Sequence, residues 1–422
     1  METIALKKGM MSWNSIIIWL VAIYSVAPDY FRIAGINSPI FFEFLIIGLW
    51  AMTNRKLPVN VQLWSFVAIA TFPVCVSLLL HNNFSNIIST VLEKIVLVIV
   101  IFSTTRNRKS FYKMIDAILT VELFECITAV VHFIFDFNIF SLLSNTTDTA
   151  VLGADTQYRN GMPRAEGSFG HAITFAIYLS VCAFLSLYMY GVTKKKKYIY
   201  IYGASFIALL FTQARFPTMI FIASQIVYLL SMTPKKALRI VFKISGIALV
   251  ALVLAAIFVP SVISALDTIA KMFVQLLSPE SIGGISKYNE NENSAFAYRF
   301  EMMRILPQII KEDILFGIGT TSGLVFKIGS HYQTSIDNQY LYSVVVNGLF
   351  GLLSTLYWIV APIFANRKKN DSFVFWSRMA MIAYAINLFS VAEMNERRII
   401  LVLIALIYAN KNLKKYNVED NA

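Results

Sequence analysis

Eight arginines stand apart from the lysine-rich clusters of this chain: Arg32, Arg159, Arg164, Arg215, Arg299, Arg304, Arg397 and Arg398. Arginine's planar fork matches two oxygens of a phosphate or carboxylate at once, so these residues are the first candidates for binding an anion. Arg215 is the most informative. It stands in Phe211-Thr212-Gln213-Ala214-Arg215-Phe216-Pro217, between two apolar runs of about 16 residues. At about 1.5 Å per residue each run covers roughly 24 Å, less than the hydrocarbon thickness. The turn is therefore expected to sink below the interface and carry its arginine with it. An arginine there faces a partner or a polar cavity; the alternative is snorkelling to headgroups, or pairing with Glu43, Glu122 or Glu125.

Proton transfer has two candidates, His331 and Asp337, in the stretch Ser330-His331-Tyr332-Gln333-Thr334-Ser335-Ile336-Asp337-Asn338-Gln339-Tyr340-Leu341. Either could take a proton from a hydroxyl. A carboxylate at a helix start is also a common N-cap, and both readings stay open. Arg397 and Arg398 follow Glu393 and Glu396, which suits an anion site or a local ion-pair cluster. Glu93, Lys94, Glu122 and Glu125 suit structural pairs or the lining of a cavity better than catalysis. No metal-ligand spacing occurs: there is no His-Glu-x-x-His, no paired Cys-x-x-Cys and no acidic triplet. Gly317-x-Gly319 lacks the Gly-Lys-Ser/Thr of a P-loop. The expected site uses no metal and no cofactor, and it stabilises anionic charge with arginines.

These residues need a scaffold, and composition says which kind. The 422 residues are 57% hydrophobic and only 14% charged, whereas a soluble domain carries about a quarter charged residues. The apolar residues fall in blocks of roughly 15 to 25, the length that crosses a bilayer. Cytosolic enzyme folds, disulfide scaffolds and β-barrels are excluded by this pattern. The three cysteines, Cys75, Cys126 and Cys182, lie inside apolar blocks and are expected as buried thiols. The expectation is an all-α polytopic membrane protein of about 12 transmembrane helices, a single integral membrane domain over 1–422. The blocks run over 13–27, 39–53, 61–80, 86–103, 111–137, 167–190, 198–213, 216–231, 240–262, 336–362, 372–390 and 397–410. No small-residue cleavage site follows the first block, which reads as a retained span.

Basic clusters occupy every second connection: Lys7/Lys8, Arg55/Lys56, Arg106 to Lys113, Lys194 to Lys197, Lys235 to Lys243, Arg367 to Arg378 and Lys411 to Lys415. The positive-inside bias puts these connections and both termini in the cytoplasm. Much of the +12 net charge is thus an orientation signal, and nucleic-acid binding loses its support. Outside lie a loop over 138–166 and a larger one over 263–335, before the tenth span. Loops of this size in a compact protein are functional or disordered. The larger has helical spacing from Ser294 to Asp313, with Pro307 inside it. The chemistry is expected on the outer face.

Taken together, these pieces resemble the O-antigen polymerase and O-antigen ligase superfamily, the Wzy-type polymerases of bacterial polysaccharides. Arg164-Ala165-Glu166-Gly167-Ser168-Phe169-Gly170-His171 is similar to that family's Arg-x-x-Gly-Thr/Ser-Phe stretch leading into a span. Gln213-Ala214-Arg215 resembles its Ser-Arg turn. Tyr298-Arg299-Phe300, then Ile314-Leu315-Phe316-Gly317-Ile318-Gly319, resembles its arginine helix and Pro-Leu-x-Gly-x-Gly element. Asp337-Asn338-Gln339-Tyr340-Leu341, then Asn347-Gly348-Leu349-Phe350-Gly351, resembles the motif that opens the next span. Order, spacing and placement around one large loop make the combination specific.

The resemblance implies a metal-independent glycosyltransferase acting on undecaprenyl-pyrophosphate-linked oligosaccharide at the outer face of the bacterial cytoplasmic membrane. It implies pyrophosphate binding by Arg164, Arg215 and Arg299, with Arg304 nearby. Asn338, Tyr340, Arg397 and Arg398 are expected to line the substrate, and a chain-length regulator protein is an expected partner. The chain departs from the family at Asp337: ligases of the superfamily usually have histidine immediately before the asparagine. Aspartate there favours a repeat-unit polymerase over a ligase and leaves the base to Asp337 or His331. The rivals are a ligase that hands finished glycan to another acceptor and a flippase of lipid-linked oligosaccharide. Twelve spans and intramembrane charges suit a carrier, but no paired halves are visible.

Overall fold

The computed structural model describes residues 12–53, 60–144, 158–159, 162–230, 301–305, 308, 310, 313–320, 324–328, 331–333, 336–365, 371–392 and 397–413. The sequence span 240–262, Arg299 and much of the large loop lie outside them. The described chain is mostly helical. Its helices are α1 (Trp13–Tyr24), α2 (Ser38–Thr53), α3 (Val61–Leu80), α4 (Phe84–Val91), α5 (Val98–Thr104), α6 (Arg108–Phe135), α7 (Ala172–Thr193), α8 (Lys196–Phe211), α9 (Arg215–Leu230), α10 (Gln339–Ala365), α11 (Ser372–Asn387) and α12 (Arg397–Leu413). A π-helical segment, Leu92–Leu97, joins α4 to α5 in one continuous rod. Among the described residues three short antiparallel strand pairs qualify the all-α expectation: β1 (Arg32–Ile33) with β2 (Ile36–Asn37), β3 (Tyr158–Arg159) with β4 (Met162–Pro163), and β5 (Phe326–Ile328) with β6 (His331–Gln333).

Among the described residues five helices have the length and apolar composition to cross a membrane: Val61–Leu80, Phe84–Thr104, Arg108–Phe135, Ala172–Thr193 and Gln339–Ala365. Shorter apolar helices, α1, α2 and α9, accompany them, as in a polytopic membrane protein. Several helices begin where the sequence supplies an acceptor for their unpaired N–H groups. Asn60 Oδ1 accepts from the Leu63 amide (3.1 Å), Asn107 Oδ1 from Ser110 (2.7 Å) and Asp371 Oδ1 from Phe373 (3.0 Å). α7 is the most enclosed of the long helices, packed against α6, α8, α9 and α11. Its apolar surface has no polar stripe because it faces protein on all sides.

α10 is not one rod. Gly348 has φ +66° and ψ −161° and breaks it into 339–347 and 349–365. Twelve residues of straight helix would separate Ser343 from Thr355 by about 18 Å, yet their hydroxyls meet at 2.8 Å. The first segment therefore folds back along the second and re-enters the helical layer. The break frees backbone groups that membrane protein interiors must satisfy internally. The stretch 314–319 satisfies four of them. Ile318 and Gly319 amides donate to the Val345 and Val346 carbonyls (2.8 and 2.9 Å), and the Leu349 and Phe350 amides donate to Ile314 and Leu315 (2.9 and 3.3 Å). Gly317 and Gly348 allow this approach: a Cβ on Gly317 would lie 2.5 Å from the Val345 oxygen, and one on Gly348 would overlap the Leu315 carbonyl. Ser77 Oγ adds a bond to the Phe316 carbonyl (2.6 Å), tying the clasp to α3. Met302, Ile310, Phe326, Ile336 and Val345 form a small apolar core beside it.

Candidate functional site

The site is built at one end of the bundle, from two sides. On the first side the chain enters along β4 and turns through Arg164 to Phe169, all buried. This loop lies on the turn between α8 and α9. The Ala165 amide donates to the Phe211 carbonyl (3.0 Å), Arg164 Nε to the Thr212 carbonyl (3.0 Å) and Gln213 Nε2 to the Pro163 carbonyl (3.2 Å). The Ala214 amide donates to Thr212 Oγ1 (3.1 Å), and Arg215 opens α9. Arg164 and the Arg215 turn, 51 residues apart in sequence, are thus one hydrogen-bonded unit. α8 and α9 are 16 residues each, the short helices the sequence predicts.

His171 closes the loop as the N-cap of α7, its Nδ1 facing the Thr174 amide (3.5 Å) and hydroxyl (3.3 Å). Burial, and then the nearby Arg164 guanidinium, lower its pKa to about 4. It is neutral at physiological pH, and with Nδ1 accepting the Thr174 amide hydrogen, its proton sits on Nε2.

On the second side stand Asp337, Asn338 and Gln339, at the start of the re-entrant arm of α10. Asn338 is wholly buried; its Oδ1 accepts the Tyr340 and Leu341 amides (3.0 and 3.1 Å). The N-cap is therefore Asn338, and Asp337, half-buried, stands just ahead of it at the positive end of the arm. The Gln339 amide bonds the Leu388 and Val391 carbonyls (2.9 and 3.0 Å), and Tyr340 Oη donates to the Ala385 carbonyl (2.7 Å). Beneath Gln339 a cavity of about 20 Å³, room for one water, is lined by Lys94, Gln339, Ser354, Thr355 and Tyr384. Lys94 lies 6.0 Å from the Trp358 ring centroid.

Helix register brings the two sides to one depth. α7 and α11 run antiparallel, with ring contacts between Tyr188 and Phe373 (5.1 Å) and between Phe184 and Trp376 (6.1 Å). Stepping sixteen residues along each from the first pair brings Ala172 level with Phe389. That is where the Asp337 side is bonded and where the Arg164 loop ends.

The other sequence candidates are placed differently. Arg304 is exposed and pairs with Glu301. Arg398 is buried, bonds the Ala27 carbonyl and Asp29, and lies over the Tyr24 ring; it joins the N-terminal end of α12 to the C-terminal end of α1. The Arg397 and His331 side chains fall outside the described residues; the His331 backbone pairs with Ile328 in the β5–β6 hairpin. Arg299 lies outside them altogether. Among the described residues no cluster of three metal-ligating side chains occurs. Sequence reasoning missed two features: the break at Gly348, whose only signal is a glycine inside an apolar run, and the grip of Glu125 on the Arg164 loop.

No curated protein matches the chain. Residues 200–356 match the family model described as O-antigen ligase, a stretch that takes in Arg215, Asp337, Asn338 and the clasp at Gly348, and leaves Arg164 just upstream. Over residues 200–356 the chain is thus similar to the O-antigen polymerase and ligase superfamily, and this similarity supports a place for that stretch within it.

Proposed function

We propose that the protein is a polysaccharide repeat-unit polymerase of the bacterial cytoplasmic membrane, with about 12 spans, both termini inside and its active face outside. The growing glycan leaves its undecaprenyl pyrophosphate and is transferred to a hydroxyl of an incoming lipid-linked repeat unit. Arg164 and Arg215 hold the donor pyrophosphate, with Arg299 and Arg304 contributing from the large loop. Guanidinium groups take up the charge that develops on the leaving pyrophosphate. Asp337 or His331 accepts the proton of the attacking hydroxyl, and Asn338 and Tyr340 shape its approach. The step breaks the sugar–pyrophosphate bond, forms one glycosidic bond and needs no metal.

The single observation that carries this reading is the bonded unit of Arg164 with the Arg215 turn, at the depth of Asp337. It supports an anion site and a proton acceptor facing one space, which is what glycosyl transfer from a pyrophosphate requires. Aspartate at position 337 favours the polymerase over a ligase. The test is the polysaccharide ladder of cells carrying Arg215→Ala or Arg299→Ala at normal protein levels. The expected result is single repeats displayed outside and no ladder; intact ladders in both would refute the clamp. Repeats stranded inside the cell would instead indicate a flippase.

A further inference from the structure

The residue that sets the geometry of the Arg164 loop comes from the middle of a membrane helix. Glu125 of α6 is wholly buried, and its Oε2 accepts the Ser168 amide at 3.0 Å. From just beyond the end of α6, Asn138 Nδ2 donates to the Gly167 carbonyl at 3.3 Å. These two bonds hold opposite groups of one peptide unit, the carbonyl of Gly167 and the amide of Ser168. They fix the plane of that peptide, and with it the turn at Gly167, where φ is +55°. A Cβ at Gly167 would lie 2.6 Å from Glu125 Oε2, so the absence of a side chain there is what lets the carboxyl approach.

The other end of the loop is bonded to the 211–213 turn, as described above. Arg164 and Ala165 therefore sit between two supports, and only the second involves Arg215's neighbours. Removing the first would leave a buried peptide without partners, which the loop relieves by moving.

We propose that Glu125, with Asn138, is a positioning residue for the pyrophosphate clamp: it touches no substrate and acts by holding the 167–168 peptide so that Arg164 keeps its place beside the Arg215 turn. The inference rests on the proposed function of Arg164.

The test is a double-mutant cycle on the full-length protein in lipid nanodiscs, measuring the Kd of undecaprenyl pyrophosphate. Arg164→Ala is expected to weaken binding about 10-fold or more, as loss of a charge-assisted contact does. Glu125→Ala is expected to weaken it to a similar degree, Glu125→Gln to stay within about 3-fold of wild type because its amide oxygen accepts the same bond, and Asn138→Ala to fall between. Placed on Arg164→Ala, neither Glu125→Ala nor Asn138→Ala should weaken binding further. Should Glu125→Ala yield no folded protein, Asn138→Ala carries the same test from the other side of the peptide. The inference is overturned if Arg164→Ala weakens binding while Glu125→Ala and Asn138→Ala leave Kd unchanged, or if their effects add in full to that of Arg164→Ala. Wild-type binding by Arg164→Ala would overturn the clamp itself, a result distinct from either.

Discussion

Gly167 is where residue-level chemistry is most sharply constrained. A side chain there meets both a left-handed backbone and the Glu125 carboxyl. Gly167→Ala is predicted to cost about 2–4 kcal/mol of local stability, combining the αL cost of a Cβ with overpacking, and to lower transfer activity more than 10-fold; the measurement is turnover of purified protein alongside its thermal midpoint. His171 gives a second prediction at this scale. Its imidazole has a pKa of about 4 in the folded protein, against an ordinary value near 6.5 in the unfolded chain. Above pH 6.5 both states leave it neutral and it adds no pH dependence. Between 6.5 and 4 the unfolded chain takes up a proton that the folded protein refuses, so stability falls as pH falls through that window. Tm measured from pH 7.5 to 4 should drop less steeply for His171→Gln than for wild type; parallel curves would remove His171 from the account. Arg164 could be picked out from sequence as an arginine outside the topology pattern. The role of Glu125 could not, because a carboxyl in an apolar helix reads the same whether it lines a cavity or holds a loop 40 residues away.

At the scale of elements, the helices were legible because hydropathy and length report them directly: the predicted 61–80 and 198–213 match Val61–Leu80 and Lys196–Phe211 closely. The re-entrant arm was not, because a break in a membrane helix depends on what satisfies the freed backbone groups, and those partners lie some 30 residues upstream at 314–319. Gly317-x-Gly319 stands out in the sequence as a glycine motif, and in the structure it allows close contact of two backbones. Gly348→Ala should therefore disrupt the clasp and the arm carrying Asp337 and Asn338, with loss of folded protein or of activity. Gly203→Ala, in α8, where a Cβ would meet nothing within 4 Å, should be neutral or slightly stabilising. Comparing the two by yield and thermal midpoint checks the assignment; equal tolerance would mean the break is dispensable.

For the whole molecule, the proposed function requires the Arg164 loop to lie on the outer face. With the native cysteines replaced, Tyr158→Cys, exposed beside the Arg164 loop, should react with an impermeant thiol reagent in intact cells, and Lys195→Cys, between α7 and α8, only after lysis. The reverse pattern would invert the topology. The short α8–α9 hairpin, the Arg164 loop and the re-entrant arm together bring arginines and a carboxylate to one depth at one end of α11, an arrangement that neither the charge balance nor any single motif spelled out. Its most direct test is transfer by the purified full chain in nanodiscs, given undecaprenyl-pyrophosphate-linked repeat unit from cells lacking this protein, with release of undecaprenyl pyrophosphate and glycan length followed together. Wild type should lengthen the glycan without added divalent metal, and Arg215→Ala should slow release about 100-fold or more. Release and lengthening at the wild-type rate by a folded Arg215→Ala protein would contradict the proposed function.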